Sequence, residues 1–140
     1  MLYIRIGTIY IECMIHANVR VMMGSIRAGR RCPEIASWVL DVATDASELT
    51  YELVDLADWP LPMDDEPGIP ALGLYQHSHT QAWSRKIADA DGVIFVTPQY
   101  NWGGPIDPVR DFSAAADLIR QAIGELSAVL AEKAAPLHAR

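Results

Sequence analysis

Three short apolar runs, at residues 19–23, 49–55 and 92–97, alternate with two segments whose apolar residues recur at helical spacing. That alternation constrains the fold more than any other feature of the chain. Strands joined through helices can share a sheet only by crossovers, which keep them parallel and right-handed. The expected core is therefore a β-α-β-α-β unit. Its first helix begins near Pro33, whose missing N–H costs nothing in a first turn. Ile35, Ala36, Val39, Leu40 and Ala43 then form one stripe to about Thr44. Ser78-His79-Thr80-Gln81 fits a capping box at the start of the second helix, which carries Ala82, Trp83 and Ile87 to about Asp89. Residues 56–77 read as a long irregular loop with Pro60, Pro62, Pro67 and Pro70, and loops of that length are usually functional or disordered.

Residues 2–13, rich in Ile and Tyr, read as one further strand. Beyond Pro105, Asp111 or Ser113 can cap a long helix over 111–133. Ala115, Leu118, Ile119, Ala122, Ile123, Leu126, Val129 and Leu130 supply its apolar stripe, and the tail after it frays. The 140 residues suffice for a single domain that buries roughly two thirds of its unfolded surface. A net charge of −7 speaks against nucleic acid, because neutralising phosphates needs a basic face. The apolar start is interrupted by Arg5 and Glu12, too short and too charged to span a bilayer, so neither a membrane segment nor a targeting signal is expected. Cys13 and Cys32 have no metal-ligand spacing and make no disulfide framework, which suits reduced thiols in a cytoplasm.

Two strand-end loops carry the chemistry. Gly24-Ser25-Ile26-Arg27-Ala28-Gly29-Arg30-Arg31 follows the first run and concentrates cations in an acidic chain. Thr97-Pro98-Gln99-Tyr100-Asn101-Trp102-Gly103-Gly104-Pro105 follows the third; Pro98 ends ladder pairing, and the glycines let backbone approach something flat. In a doubly wound sheet of order 2-1-3 these loops are neighbours at the switch point where ligands bind. A phosphorylated planar cofactor is the implied ligand. Its phosphate would sit at the head of the first helix, held by the amides of residues 24–29, the Ser25 hydroxyl and Arg27. The dinucleotide fingerprint is absent, since residue 26 is Ile. Gly24 and Gly29 have Walker A spacing, but Arg30 and Arg31 replace the Lys-Ser/Thr pair, which disfavours a nucleotide hydrolase. His77 and His79 read as loop and cap residues, Trp83 as core, and Asp64-Asp65-Glu66 as a solvated run.

These residues resemble the NAD(P)H-dependent FMN reductases of the flavodoxin-like fold, which include quinone reductases. The resemblance rests on the Gly24–Arg30 loop, on Val54-Asp55-Leu56-Ala57-Asp58-Trp59-Pro60-Leu61-Pro62, on His79-Thr80 to Trp83, on Ala88-Asp89-Ala90-Asp91, and on Thr97-Pro98-Gln99-Tyr100-Asn101, in the family's order over 19–105. It implies a flavodoxin-like three-layer sandwich around a parallel sheet of order 2-1-3. It implies FMN, its phosphate held by Gly24, Ser25, Arg27 and Arg30 and its ring flanked by Pro98, Gln99, Tyr100, Asn101, Trp102 and Gly103. NADPH or NADH would be co-substrate, a quinone or similar small molecule the acceptor, and a homo-oligomer the assembly. Gln99 stands where many relatives have Glu.

After this loop, relatives continue with a helix, two more strands and a final helix. Here Phe112-Ser113-Ala114-Ala115-Ala116-Asp117-Leu118 follows at once and resembles that final helix, so the last two strands are expected to be missing. A diverged, shortened third helix is the alternative. The third strand then becomes an edge. Residues 2–13, an extra segment before the family core, could fill the gap as an antiparallel strand beside 92–97, since a five-residue linker reaches about 17 Å and two strand spacings take about 10 Å. Two functions follow from the resemblance: a working reductase, or a non-catalytic remnant that binds FMN or a partner.

Overall fold

The computed structural model describes residues 2–6, 9–13, 17–63, 65–98 and 108–134. The strands are β1 (Leu2–Ile6), β2 (Ile9–Cys13), β3 (Asn18–Met23), β4 (Thr50–Asp55) and β5 (Gly92–Val96); the helices are α1 (Cys32–Ala46), α2 (Ser78–Ala88) and α3 (Pro108–Ala134). Strand β3 pairs in parallel with both β4 and β5, so the sheet runs β4-β3-β5, the expected 2-1-3 order. Val21 stands opposite Leu53 on one side and Ile94 on the other. Among the described residues this sheet has three strands, with β4 and β5 as its edges.

Alternation along β3 assigns the layers. Val19, Val21 and Met23 are buried on one face. Helix α1 covers them with Cys32, Ala36 and Val39, and α3 covers the amino end of the sheet with Leu126 and Leu130. The opposite face carries Arg20, Met22 and, from β4, Glu52 and Val54. Glu52 ties α2 to it, since its carboxylate pairs with Lys86 of α2 and, at 2.7 Å, with Arg20. Helices on both faces of a parallel sheet give the three-layer α/β sandwich of the flavodoxin-like type, without the later strands among the described residues. At the amino end, Asn18 and Asp91 exchange two 2.8 Å hydrogen bonds that lock the entry to β3 against the turn before β5.

Four expectations are corrected. Residues 2–13 form a hairpin, not one strand: β1 and β2 pair antiparallel, Leu2 opposite Cys13 and Ile6 opposite Ile9, in a sheet of their own. They therefore do not extend the main sheet beside β5; pairing across a two-residue connection closes a far smaller loop than docking on β5 would. Helix α3 starts at Pro108, ahead of both proposed caps, where a proline suits the first helical position. Its buried stripe is narrower than expected, with Ile123 and Leu130 inside but Leu118 and Val129 exposed. Finally, the Ser-Gln capping box is not made: Ser78 is already helical, and the cap position belongs to His77, with no side-chain cap bond.

Candidate functional site

The β3 loop and the β5 loop meet, as the topology requires, around a cavity of about 420 Å³. Ser25, Arg27, Arg30 and Cys32 line it from one side, Val96, Thr97 and Pro98 from the other. The two walls are joined at one carbonyl. Val96 O accepts from Gly24 N (2.9 Å) and from Cys32 Sγ (3.2 Å), so the start of the loop and the start of α1 both hang on β5. A Cβ on Gly24 would lie 3.2 Å from Thr97 Cγ2 and 3.3 Å from Val96 O, which explains a glycine there. The loop then turns over residues 27–30, with Arg30 N donating to Arg27 O at 3.2 Å. Gly29 takes φ +69°, at the third turn position, where a left-handed conformation favours glycine. Ser25 is buried and Arg27 exposed at the cavity. Arg31 holds the N-cap position of α1 without a side-chain cap bond and pairs instead with Glu34 (2.9 Å).

Arg30 is engaged three times over. Its Nη1 donates to Asp55 Oδ1 (2.8 Å) and to Ser25 O (2.5 Å), while Nη2 donates to Asp55 Oδ2 (2.5 Å). Asp55 ends β4 and also accepts from Ala57 N at 2.9 Å. The Arg30 hydrogen bonds, and then the Ala57 amide, hold the Asp55 carboxyl below the ordinary carboxylate range. Glu52 is lowered likewise, by Lys86 first and by Arg20. A carboxylate of this kind contributes stability that is fully present above its unfolded pKa, about 3.9 for Asp and 4.3 for Glu. That contribution is lost as pH falls through the lowered folded value. Urea midpoints should therefore stay level down to about pH 5 and drop below about pH 4, with Asp55→Asn showing a shallower drop. A variant with the wild-type acid slope would show that the pair does not contribute.

Of the residues expected at a site, Gly24, Ser25, Arg27, Arg30 and Pro98 are brought together around this cavity. Gln99, Tyr100, Asn101, Trp102 and Gly103 lie outside the described residues. Sequence reasoning missed Asp55, Cys32 and Ile35. The first was detectable, because order 2-1-3 sets the end of β4 beside the end of β3, with Asp55 opposite Met23.

The long loop forms a second assembly against α2, around a cavity of about 390 Å³. Glu66 caps this helix from outside, accepting from Gln76 N (2.9 Å) and His77 N (3.0 Å). Partial desolvation opposes ionisation of Glu66, yet those amides and the Thr80 hydroxyl hold its carboxyl below the ordinary value. His77 Nε2 lies 2.8 Å from Asp65 O. His79 Nε2 lies 2.9 Å from Asp65 Oδ2 without hydrogen-bond geometry. The two imidazoles stack at 5.4 Å. Trp83 meets Trp59 edge to face at 5.1 Å. Among the described residues no cluster of three His, Cys, Asp or Glu side chains could hold a metal ion, and no helix is long and apolar enough to cross a membrane.

Comparison with known proteins bears on the same segment. The family of NADPH-dependent FMN reductases matches residues 17–105. An NAD(P)H-dependent FMN reductase of Schizosaccharomyces pombe is 53% identical over 90 residues, covering 63% of this chain and 45% of that protein. One from Saccharomyces cerevisiae is 43% identical over 99 residues, covering 63% and 52%. A quinone reductase of Escherichia coli is 32% identical over 91 residues, covering 63% and 44%. The chain thus spans about half the length of the curated relatives it matches. The matched span opens at Ala17, immediately before β3, and takes in both walls of the cavity; the chain belongs to the NADPH-dependent FMN reductase family.

Proposed function

We propose that this chain binds FMN at the carboxyl ends of β3 and β5 and acts as an NAD(P)H-dependent reductase of quinones or similar electrophiles. The observation that carries the reading is the cavity between the two loops, whose donors fit a phosphomonoester: a glycine-bearing turn, a buried serine, Arg27, and a helix start whose N-cap side chain makes no cap bond. Gly24 lets the loop approach β5, while Ser25, Arg27 and the loop amides bind the phosphate and Arg30 stands behind them. Pro98 follows the end of β5, and Gln99, Tyr100, Asn101, Trp102 and Gly103 are the proposed partners of the ring, as the family motif suggests. FMN held there would supply the redox chemistry, hydride acceptance from NADH or NADPH and electron delivery to the acceptor. The chain's own task is to hold, orient and shield the flavin. The proposed organisation is one domain with its core over 19–105, an extra segment at 1–18 and a closing helix from 108, working in the cytoplasm as a homo-oligomer. The exposed β5 edge is what supports self-association.

Protein purified without added flavin is expected to be yellow, with an FMN-type absorption spectrum, and to oxidise NADPH when menadione is supplied. A second reading, a non-catalytic remnant that binds flavin, is favoured by the sheet ending at β5, where Phe95 is 66% exposed. Bound flavin without NADPH oxidation would select it. Colourless protein that takes up no added FMN would overturn both.

A further inference from the structure

We propose that Arg30 and Asp55 are positioning residues that set the phosphate loop, rather than ligands of the phosphate; this rests on the FMN reading above. Three of the five guanidinium N–H groups of Arg30 are spent inside the protein, two on the Asp55 carboxylate and one on the Ser25 carbonyl. The pair is shielded, with 18% and 17% of the two side chains exposed, and Asp55 is anchored by the Ala57 amide at the end of β4. The consequence falls on the peptide between Ser25 and Ile26. In a trans peptide the C=O and N–H point in opposite directions. A Ser25 carbonyl held by Arg30 therefore turns the Ile26 N–H away from the guanidinium. A loop held this way offers amide donors to an anion and keeps the carbonyl dipole, which would repel one, turned inward. The chain reaches this arrangement by spanning two strand ends: Ser25 leaves β3, and Asp55 closes β4. Arg30 spans the gap between them. Arg31 is excluded from the same role, since its guanidinium pairs with Glu34 on the first turn of α1.

The two roles for Arg30 predict opposite effects of Asp55→Asn. If Arg30 bound the phosphate, removing a competing carboxylate would leave FMN affinity unchanged or raise it. As a positioning pair, Asp55→Asn and Arg30→Ala should each weaken FMN by about tenfold, the cost of misplacing one charge-assisted donor. The double variant should be no weaker than either single one. Affinity for riboflavin, which lacks the phosphate, should not move in any of them. Quenching of flavin fluorescence on titration reads both constants, and thermal midpoints show that each variant is folded. If Arg30→Ala does not fold, Asp55→Asn alone decides, because its sign separates the roles. Wild-type protein with equal affinity for FMN and riboflavin would overturn the phosphate reading of the cavity. Wild-type preference for FMN that Asp55→Asn leaves intact or strengthens would overturn the positioning role and keep the cavity.

Discussion

Arg27→Ala is expected to weaken FMN binding by about ten- to a hundredfold and to take NADPH–menadione turnover with it. The range follows from the roughly 1.5–3 kcal/mol that a hydrogen bond to a charged group contributes, at about 1.4 kcal/mol per factor of ten. Arg27 lies exposed at the rim of the cavity, so truncating it creates no void, and thermal midpoints show that the variant is folded. Titration with FMN and with riboflavin separates the phosphate from the ring. The ratio of the two affinities should collapse in the variant. A preserved ratio would remove Arg27 from the phosphate site whatever happened to turnover.

The largest effect on stability is expected at Met22. It is 2% exposed in the central strand β3, opposite Val54 of β4, itself 3% exposed. Truncation to alanine removes three heavy atoms from a site held on both sides by strand pairing, where neighbours can collapse only partly. Met22→Ala should therefore cost about 2–5 kcal/mol, a large share of the 5–15 kcal/mol that holds a domain folded. Met22→Leu, close in volume, should cost less than about 1.5 kcal/mol. Urea unfolding followed by circular dichroism measures both. Alanine and leucine variants of equal stability would mean that this face of the sheet is not a packed layer.

Much of this architecture was legible in the residues, because it depends on local periodicity and on a topological rule. The stripe Ile35, Ala36, Val39, Leu40 and Ala43 located α1 to within two residues of its end. Parallel crossovers then require the two loops to lie side by side. What was not legible depends on partners distant in sequence. Asp55 is 25 residues from Arg30; strand order sets it beside the end of β3, but no local pattern says which cation it takes. Glu66 takes over the capping of α2 from ten residues upstream of Gln76, so a fitting Ser-Gln motif at 78–81 was left unused. The N-terminal hairpin carried a local signal that went unread: Gly7-Thr8 leaves the two-residue spacing of a tight hairpin between Ile6 and Ile9. Helix α3 shows the limit of pattern alone, since Leu118 and Val129 fit the stripe yet nothing in the sheet reaches them.

One carbonyl, Val96 O, receives both the Gly24 amide and the Cys32 thiol, and it belongs to one of the two edge strands of the sheet among the described residues. A native protein opens locally, where buried contacts are few, at a lower cost than unfolding as a whole, and an edge strand has a neighbour on one side only. Each such opening would separate the walls of the cavity, so fluctuation of β5 and loss of ligand are the same event seen from two sides. Occupancy then works backwards on the frame. Ligand at a hundred times its dissociation constant adds about 2.7 kcal/mol to the closed form, and it adds it at a strand paired on one side only. In such a shortened sheet the cofactor would be a structural member as much as a reagent.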